Sequence, residues 1–225
     1  MIRQLLLDID DTLLDFSQAE AWALRQAFAA CGLVLPDDVF AQYRQINRRQ
    51  WQRLDAGEIT RDDVLYGRFR LLFATLGWRA DPVAVETRYR GYLAQAHFPV
   101  PGALEALAAL HETYPLYIAS NGLAQTQYDR LDAAGMTPFL QGIFLSDDAG
   151  APKPEQAFFD YCFAHMPGAR PEETLLIGDN LRTDIRGGQQ AGLFTCWFNA
   201  RCRPEDPAIQ PDWTVYSWAE VLEML

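Results

Sequence analysis

Two patterns of apolar and polar residues share this chain. From Ser17 to about His97 the spacing of apolar residues is helical throughout, whereas beyond Pro99-Val100-Pro101-Gly102 helical stretches alternate with short apolar runs. The helical block carries its own start and stop signals. Ser17-Gln18-Ala19-Glu20 reads as a capping box, and Gly32 suits the end of that helix. A second helix is expected from about Asp37 to Leu54, a third is capped by Thr60 and ends near Gly77, and Asp81-Pro82 opens a fourth. The later apolar runs, residues 116–119, 142–145, 174–177 and 195–198, read as strands, and strands alternating with helices imply a parallel sheet. A first strand over residues 4–8, built on Leu5-Leu6-Leu7, has no partner nearby in sequence and must join that later sheet. The expected fold is therefore α/β: a Rossmann-like parallel-sheet core, residues 1–14 and 99–225, with an all-helical cap, residues 15–98, inserted after strand one. The two ends of such an insertion return to one place, so the cap can act as a lid over the carboxyl edge of the sheet.

The first strand runs straight into Asp8-Ile9-Asp10-Asp11-Thr12. Asp8 and Asp10 have one residue between them, and where a strand frays into a loop both can face one cavity at its carboxyl end, where open α/β sheets place ligands. Clustered carboxylates repel unless a cation shares the site, so the segment suggests a hard-metal site, most simply Mg²⁺, with one carboxylate left to act as nucleophile. The same residues also read as an acidic strand-to-helix turn in which Asp11 or Asp15 caps a helix. Later strands end in polar groups as well. Ser120-Asn121-Gly122 offers a hydroxyl, an amide and backbone N–H groups to an anion, or is an ordinary turn. Lys153, between Pro152 and Pro154, is a stiffly presented cation or a surface lysine in a Pro-rich loop. Asp179 and Asp184 could face the same cavity as Asp8 and Asp10, or serve as a helix cap and a first-turn acid. The specific signal is their conjunction at successive strand ends of one sheet.

Composition narrows the ligand. A net charge of −11 argues against nucleic-acid polymers as partners, and it requires a local positive focus for any anionic substrate. Cys31, Cys162, Cys196 and Cys202 form no CxxC pair and no zinc spacing, which suits reduced thiols in a cytoplasmic protein. The first apolar run is too short for a signal peptide, and no stretch approaches the roughly 18 apolar residues of a membrane span.

In this order the motifs resemble those of the haloacid dehalogenase-like superfamily: Asp8 to Thr12 the first, Ser120 with Asn121-Gly122 the second, Lys153-Pro154 the third, and Gly178-Asp179 through Asp184 the fourth. Serine replaces the commoner threonine in the second and keeps the hydroxyl. The resemblance implies that Asp10 separates this chain from the true dehalogenases, which lack an acid there, and aligns it with phosphatases and phosphomutases. It further implies that Asp8 attacks phosphorus, that Asp10 enters protonated and exchanges a proton with the leaving group and then with water, and that Ser120, Asn121, Gly122 and Lys153 hold the phosphoryl oxygens. Mg²⁺ is then held by Asp8, the Asp10 backbone carbonyl and Asp179, while Asp184 orders a metal-bound water or Lys153 from behind. A closer similarity is to bacterial pyrimidine 5′-nucleotidases. It runs through the cap around Tyr43, Asn47 and Trp51, through Gly57-Glu58-Ile59-Thr60 and Tyr66-Gly67-Arg68-Phe69, and through Ala191-Gly192-Leu193, Cys196 to Ala200 and Pro211 to Val215. The implied substrate is a small phosphorylated metabolite, a nucleoside 5′-monophosphate with a pyrimidine base. Tyr43, Asn47 and Trp51, at i, i+4 and i+8, present one helix face that either reads the base or packs the cap helices together. A sugar-phosphate phosphatase or a β-phosphoglucomutase-like transferase is the nearer alternative, and a non-catalytic binding protein the remoter one.

Overall fold

The computed structural model describes residues 1–225, apart from the side chain of Asp55. Six strands form one parallel sheet: β1 (Gln4–Leu7), β2 (Leu116–Ser120), β3 (Gly142–Leu145), β4 (Thr174–Gly178), β5 (Phe194–Phe198) and β6 (Trp213–Val215), in the spatial order β3-β2-β1-β4-β5-β6. This is the Rossmann-like core expected from the strand pattern. β1 is inside the sheet, paired to β2 on one side and to β4 on the other, which explains its unbroken apolar sequence. Its successive side chains feed opposite faces. Leu5 and Leu7 pack with Leu107, Ile118, Ile177 and Trp218, and Leu6 packs with Phe158, Phe159 and Leu176 on the other face. The strand order reverses direction between β1 and β4, the place where doubly wound sheets open a crevice at their carboxyl ends.

The helices are α1 (Phe16–Ala30), α2 (Asp37–Asp55), α3 (Arg61–Leu76), α4 (Pro82–Leu93), α5 (Ala103–Leu110), α6 (Ala124–Ala133), α7 (Ser146–Ala149), α8 (Gln156–Ala164), α9 (Gly187–Gln190) and α10 (Trp218–Met224). The chain divides into two compact units, one comprising Met1–Ser17 and His97–Leu225, the other Gln18–Ala96. In the second unit Thr60 closes a full capping box with Asp63 and Gly77 ends α3 in the left-handed conformation, while Asp81 caps α4 ahead of Pro82. Its interior is aromatic: Tyr43 stacks on Phe69 at 5.2 Å, and Tyr89 meets both rings edge-on.

Two expectations change. Ser17 lies inside α1 and does not cap it; the helix starts at Phe16, whose N–H donates to the Asp11 carboxylate at 3.0 Å. β6 was not foreseen, because three residues carry too little alternation to announce a strand. The four cysteines are all free. Among the described residues no helix is long and apolar enough to cross a membrane.

Candidate active site

Strand ends position the chemistry. Asp8 follows β1 and its N–H donates to the Ile177 carbonyl of β4 at 2.9 Å, so the sheet itself fixes the start of the acidic loop. Ser120 is the last residue of β2, and Asp179 follows the last residue of β4. Lys153 enters from the loop after α7 and α8 follows it, with a cis peptide bond to Pro154.

Lys153 ties these groups together. It is 3% exposed, and its Nζ donates to Asp8 Oδ1 at 2.8 Å, to Asp184 Oδ1 at 2.7 Å and to the Ala119 carbonyl at 2.6 Å, which uses all three ammonium hydrogens. Burial works against the ammonium, but Asp184 and Asp8 outweigh it and hold the Lys153 pKa above the ordinary lysine value. Asp8 shows the opposite balance. Burial pushes its pKa well up, Lys153 pulls it down, and Asp184, Asp179 and Asp10 push it up again. Asp179 is pushed up to about 7 by burial and by Asp184, against the pull of Arg203. Carboxylate oxygens of Asp8, Asp179 and Asp184 lie within 4.8 Å of one another. Three buried or half-buried carboxylates at that spacing, with one lysine on two of them, form an oxygen donor set short of positive charge, which fits a hard divalent cation.

Asp184 reaches the cluster because of a wide turn and a missing side chain. Leu181–Arg186 forms a π-helical turn, and Asn180 Oδ1 caps it by accepting from Arg182 N and Thr183 N. Asp184 Oδ2 accepts from Asn180 N at 3.0 Å and its Oδ1 accepts from Lys153. A Cβ at Gly178 would collide with the Asp184 carboxyl, so only glycine lets this turn close on β4.

Ser120 is buried, and its Oγ accepts from Gly122 N and from Gln127 Nε2, each at 3.1 Å. Both lone pairs being used, the hydroxyl hydrogen is what Ser120 has to offer an anion. The Asn121 side chain was expected to face the anion. Its amide instead clamps the backbone of Lys153, with Nδ2 donating to the Lys153 carbonyl at 2.9 Å and Oδ1 accepting from Lys153 N at 2.8 Å.

Several partners escaped the sequence reading. Gln127 and Arg130 of α6 both donate to the Asp10 carboxylate, and both are 1% exposed. The signal was present: Gln127, Arg130 and Leu131 fall at i, i+3 and i+4, a buried stripe in which two of three residues are polar. Arg201 bonds Asp11 and Asp15, and Arg203 bonds Asp11 and Asp179, so a loop after β5 ties the first acidic motif to the fourth. Nothing in the spacing of residues 199–212 announces those contacts.

The cap residues Tyr43, Asn47 and Trp51 make contacts inside their own unit. Tyr43 is fully buried and stacked on Phe69, so its ring presents no face to a ligand. Asn47 donates to Glu20 Oε1 and accepts from Trp51 Nε1 and Arg68 Nη1, all within the helical unit. Beside this stripe Arg68 and Glu86, both buried, pair through three contacts of 3.0–3.1 Å.

The profile of haloacid dehalogenase-like hydrolases matches residues 2–192. The pyrimidine 5′-nucleotidase PynA of Streptococcus pneumoniae is 35% identical over 222 residues, 98% of this chain and 94% of that protein. The pyrimidine 5′-nucleotidase YjjG of Escherichia coli is 29% identical over 97% of this chain and 95% of its own length. A crystal structure of YfnB from Bacillus subtilis bound to magnesium superposes with a TM-score of 0.96 at 42% identity, covering 100% of this chain and 98% of that one.

Proposed function

The chain belongs to the haloacid dehalogenase-like hydrolase family, and from that premise we propose that it is a Mg²⁺-dependent phosphomonoesterase acting on nucleoside 5′-monophosphates, pyrimidines preferred. The observation that carries the reading is the cluster of Asp8, Asp179 and Asp184 at the carboxyl edge of the sheet, with Lys153 paired to Asp8 and Asp184. The names of PynA and YjjG support the substrate class, and the magnesium in the YfnB crystal supports the cofactor.

In this reading Asp8 attacks phosphorus as the bond to the 5′ oxygen breaks, forming an aspartyl phosphate. Asp10 gives a proton to the departing oxygen and takes one from the water that then cleaves the acyl phosphate. Lys153 holds Asp8 in place and sets its positive charge beside the phosphoryl group, whose oxygens take their donors from Ser120 and the turn at Asn121-Gly122. Asp8, Asp179 and the Asp10 carbonyl are the groups that would hold Mg²⁺, with Asp184 fixing Lys153 behind them. When bound, the ion supplies charge neutralisation at the phosphoryl group.

A panel of phosphate esters assayed with Mg²⁺ tests the proposal. Release of inorganic phosphate, fastest from UMP or dTMP, is expected. An isomerised sugar phosphate without free phosphate would make the protein a mutase, and turnover confined to sugar phosphates would move the substrate class.

A further inference from the structure

The residue that the proposed reaction asks to handle protons is held by two buried side chains of one helix. Asp10 is attached to a loop, not to a strand, and its side chain is about a third exposed. A carboxylate on a loop has several rotamers available, yet a group that exchanges protons must hold one geometry through both half-reactions. Here α6 supplies that geometry. Arg130 Nη1 donates to Asp10 Oδ1 at 2.6 Å, and Gln127 Nε2 donates to Asp10 Oδ2 at 2.7 Å, so each oxygen has its own donor. The donors are themselves fixed. Gln127 Oε1 accepts from Arg130 Nη1 at 2.8 Å, which settles the orientation of the amide, and Gln127 Nε2 also reaches Ser120 Oγ at 3.1 Å. The Arg130 guanidinium lies 5.9 Å from the centroid of the Phe16 ring.

The local chain is shaped to admit this network. A Cβ at Gly122 would run into the Gln127 side chain from its Cγ to its Nε2, so the glycine of the Ser120-Asn121-Gly122 turn makes the room in which Gln127 bridges Ser120 and Asp10. Two fully buried polar side chains, 117 and 120 residues away from Asp10 in sequence, are a costly way to build a helix face unless their hydrogen bonds matter.

We propose that Gln127 and Arg130 are positioning residues for Asp10, and that through Gln127 they couple it to Ser120. Neither touches substrate; both act by holding the Asp10 carboxyl at the position from which it serves the leaving group and the attacking water. The inference rests on the phosphomonoesterase reading for its kinetic consequences, but the placement of Asp10 is testable without it.

The experiment is a double-mutant cycle on Arg130→Gln and Asp10→Asn, read by rapid quench with UMP and p-nitrophenyl phosphate, together with a crystal structure of Arg130→Gln. Arg130→Gln is expected to lower kcat on UMP by roughly 10²-fold, with KM changed by less than about threefold, and to slow formation of the phosphoenzyme less on p-nitrophenyl phosphate, whose leaving group needs little protonation. In the Asp10→Asn background the same change should cost less than about twofold, because there is no longer a carboxylate to position. Losses that multiply in the double variant, or a uniform loss on both esters, would overturn the proposal. If Arg130→Gln does not fold, Gln127→Met removes the amide while leaving the Ser120-Asn121-Gly122 turn as it is, and should show the same leaving-group pattern at smaller amplitude; wild-type behaviour there would count against the role of Gln127. Gln125→Ala, exposed on the same helix, is the control and should match wild type. Should wild type release no phosphate from any ester, the phosphomonoesterase reading fails, and the crystal structure still decides the positioning claim. An Asp10 carboxylate displaced by more than roughly 0.5 Å supports it, and one left in place overturns it.

Discussion

Each unit holds a buried ionic cluster, and the two differ in their ratio of acids to cations. In the helical unit Glu86 is fully buried and faces two cations, Arg68 through a bidentate pair and Arg90 at 3.3 Å. Arg68 in turn lies 4.9 Å from the Tyr89 ring centroid and 5.5 Å from that of Phe69. The carboxylate there meets two cations within the protein, although burial still holds its pKa above the usual carboxylate value. In the α/β unit Asp8, Asp179 and Asp184 converge, with Lys153 on two of them and Arg203 on the third. That cluster keeps more carboxylate than cation; burial, with the neighbouring acids adding to it, pushes the Asp8 pKa well up and that of Asp179 up to about 7. A closed cluster is costly to break, whereas an acid-rich one is costly to keep and suits a site that takes up a cation.

Substitutions in the two clusters should therefore separate activity from stability. The largest effect is expected from Asp8→Asn, which keeps the shape, removes the nucleophile and relieves crowding among the acids. Turnover should fall by roughly 10³-fold or more, while the melting temperature in metal-free buffer stays level or rises; activity within tenfold of wild type would end the covalent role of Asp8. Glu86→Gln is the mirror image. It leaves Arg68 buried without its full counter-charge and should cost on the order of 3–5 kcal/mol of stability in the helical unit, read by chemical denaturation; a loss under about 1 kcal/mol would mean that this pair is not closed in the way described. Asn47→Ala should have the smallest effect. It strips hydrogen bonds from Glu20, Trp51 and Arg68, lowering the melting temperature by the equivalent of about 1–3 kcal/mol, with UMP and p-nitrophenyl phosphate affected alike. A loss confined to UMP would return this stripe to base recognition.

The same contrast explains what the sequence disclosed. β1 to β5 were legible because buried parallel strands are short apolar runs bounded by turns, and the acids, the lysine and the serine stood out at their ends. The family followed from those motifs in order, and the profile match over residues 2–192 bears it out. Contacts made across long separations left no such mark. Arg130 reaches Asp10 over 120 residues and Arg203 reaches Asp11 over 192, and neither has a local pattern that names its partner. The clamp of Asn121 on Lys153 is hidden for the same reason, since a Ser-Asn-Gly turn looks the same whether its amide meets an anion or a backbone. Tyr43, Asn47 and Trp51 share a face whichever way that face points, and periodicity alone cannot tell a seam from a binding surface.

The central claim is that the acid-rich cluster is built to receive one divalent cation. Isothermal titration of Mg²⁺ into EDTA-treated, buffer-exchanged protein tests it most directly, with Asp179→Asn as the paired sample. One Mg²⁺ per chain, with binding abolished or weakened at least roughly tenfold in Asp179→Asn, is the predicted result. No binding by the wild-type protein, or equal binding by the variant, would contradict it.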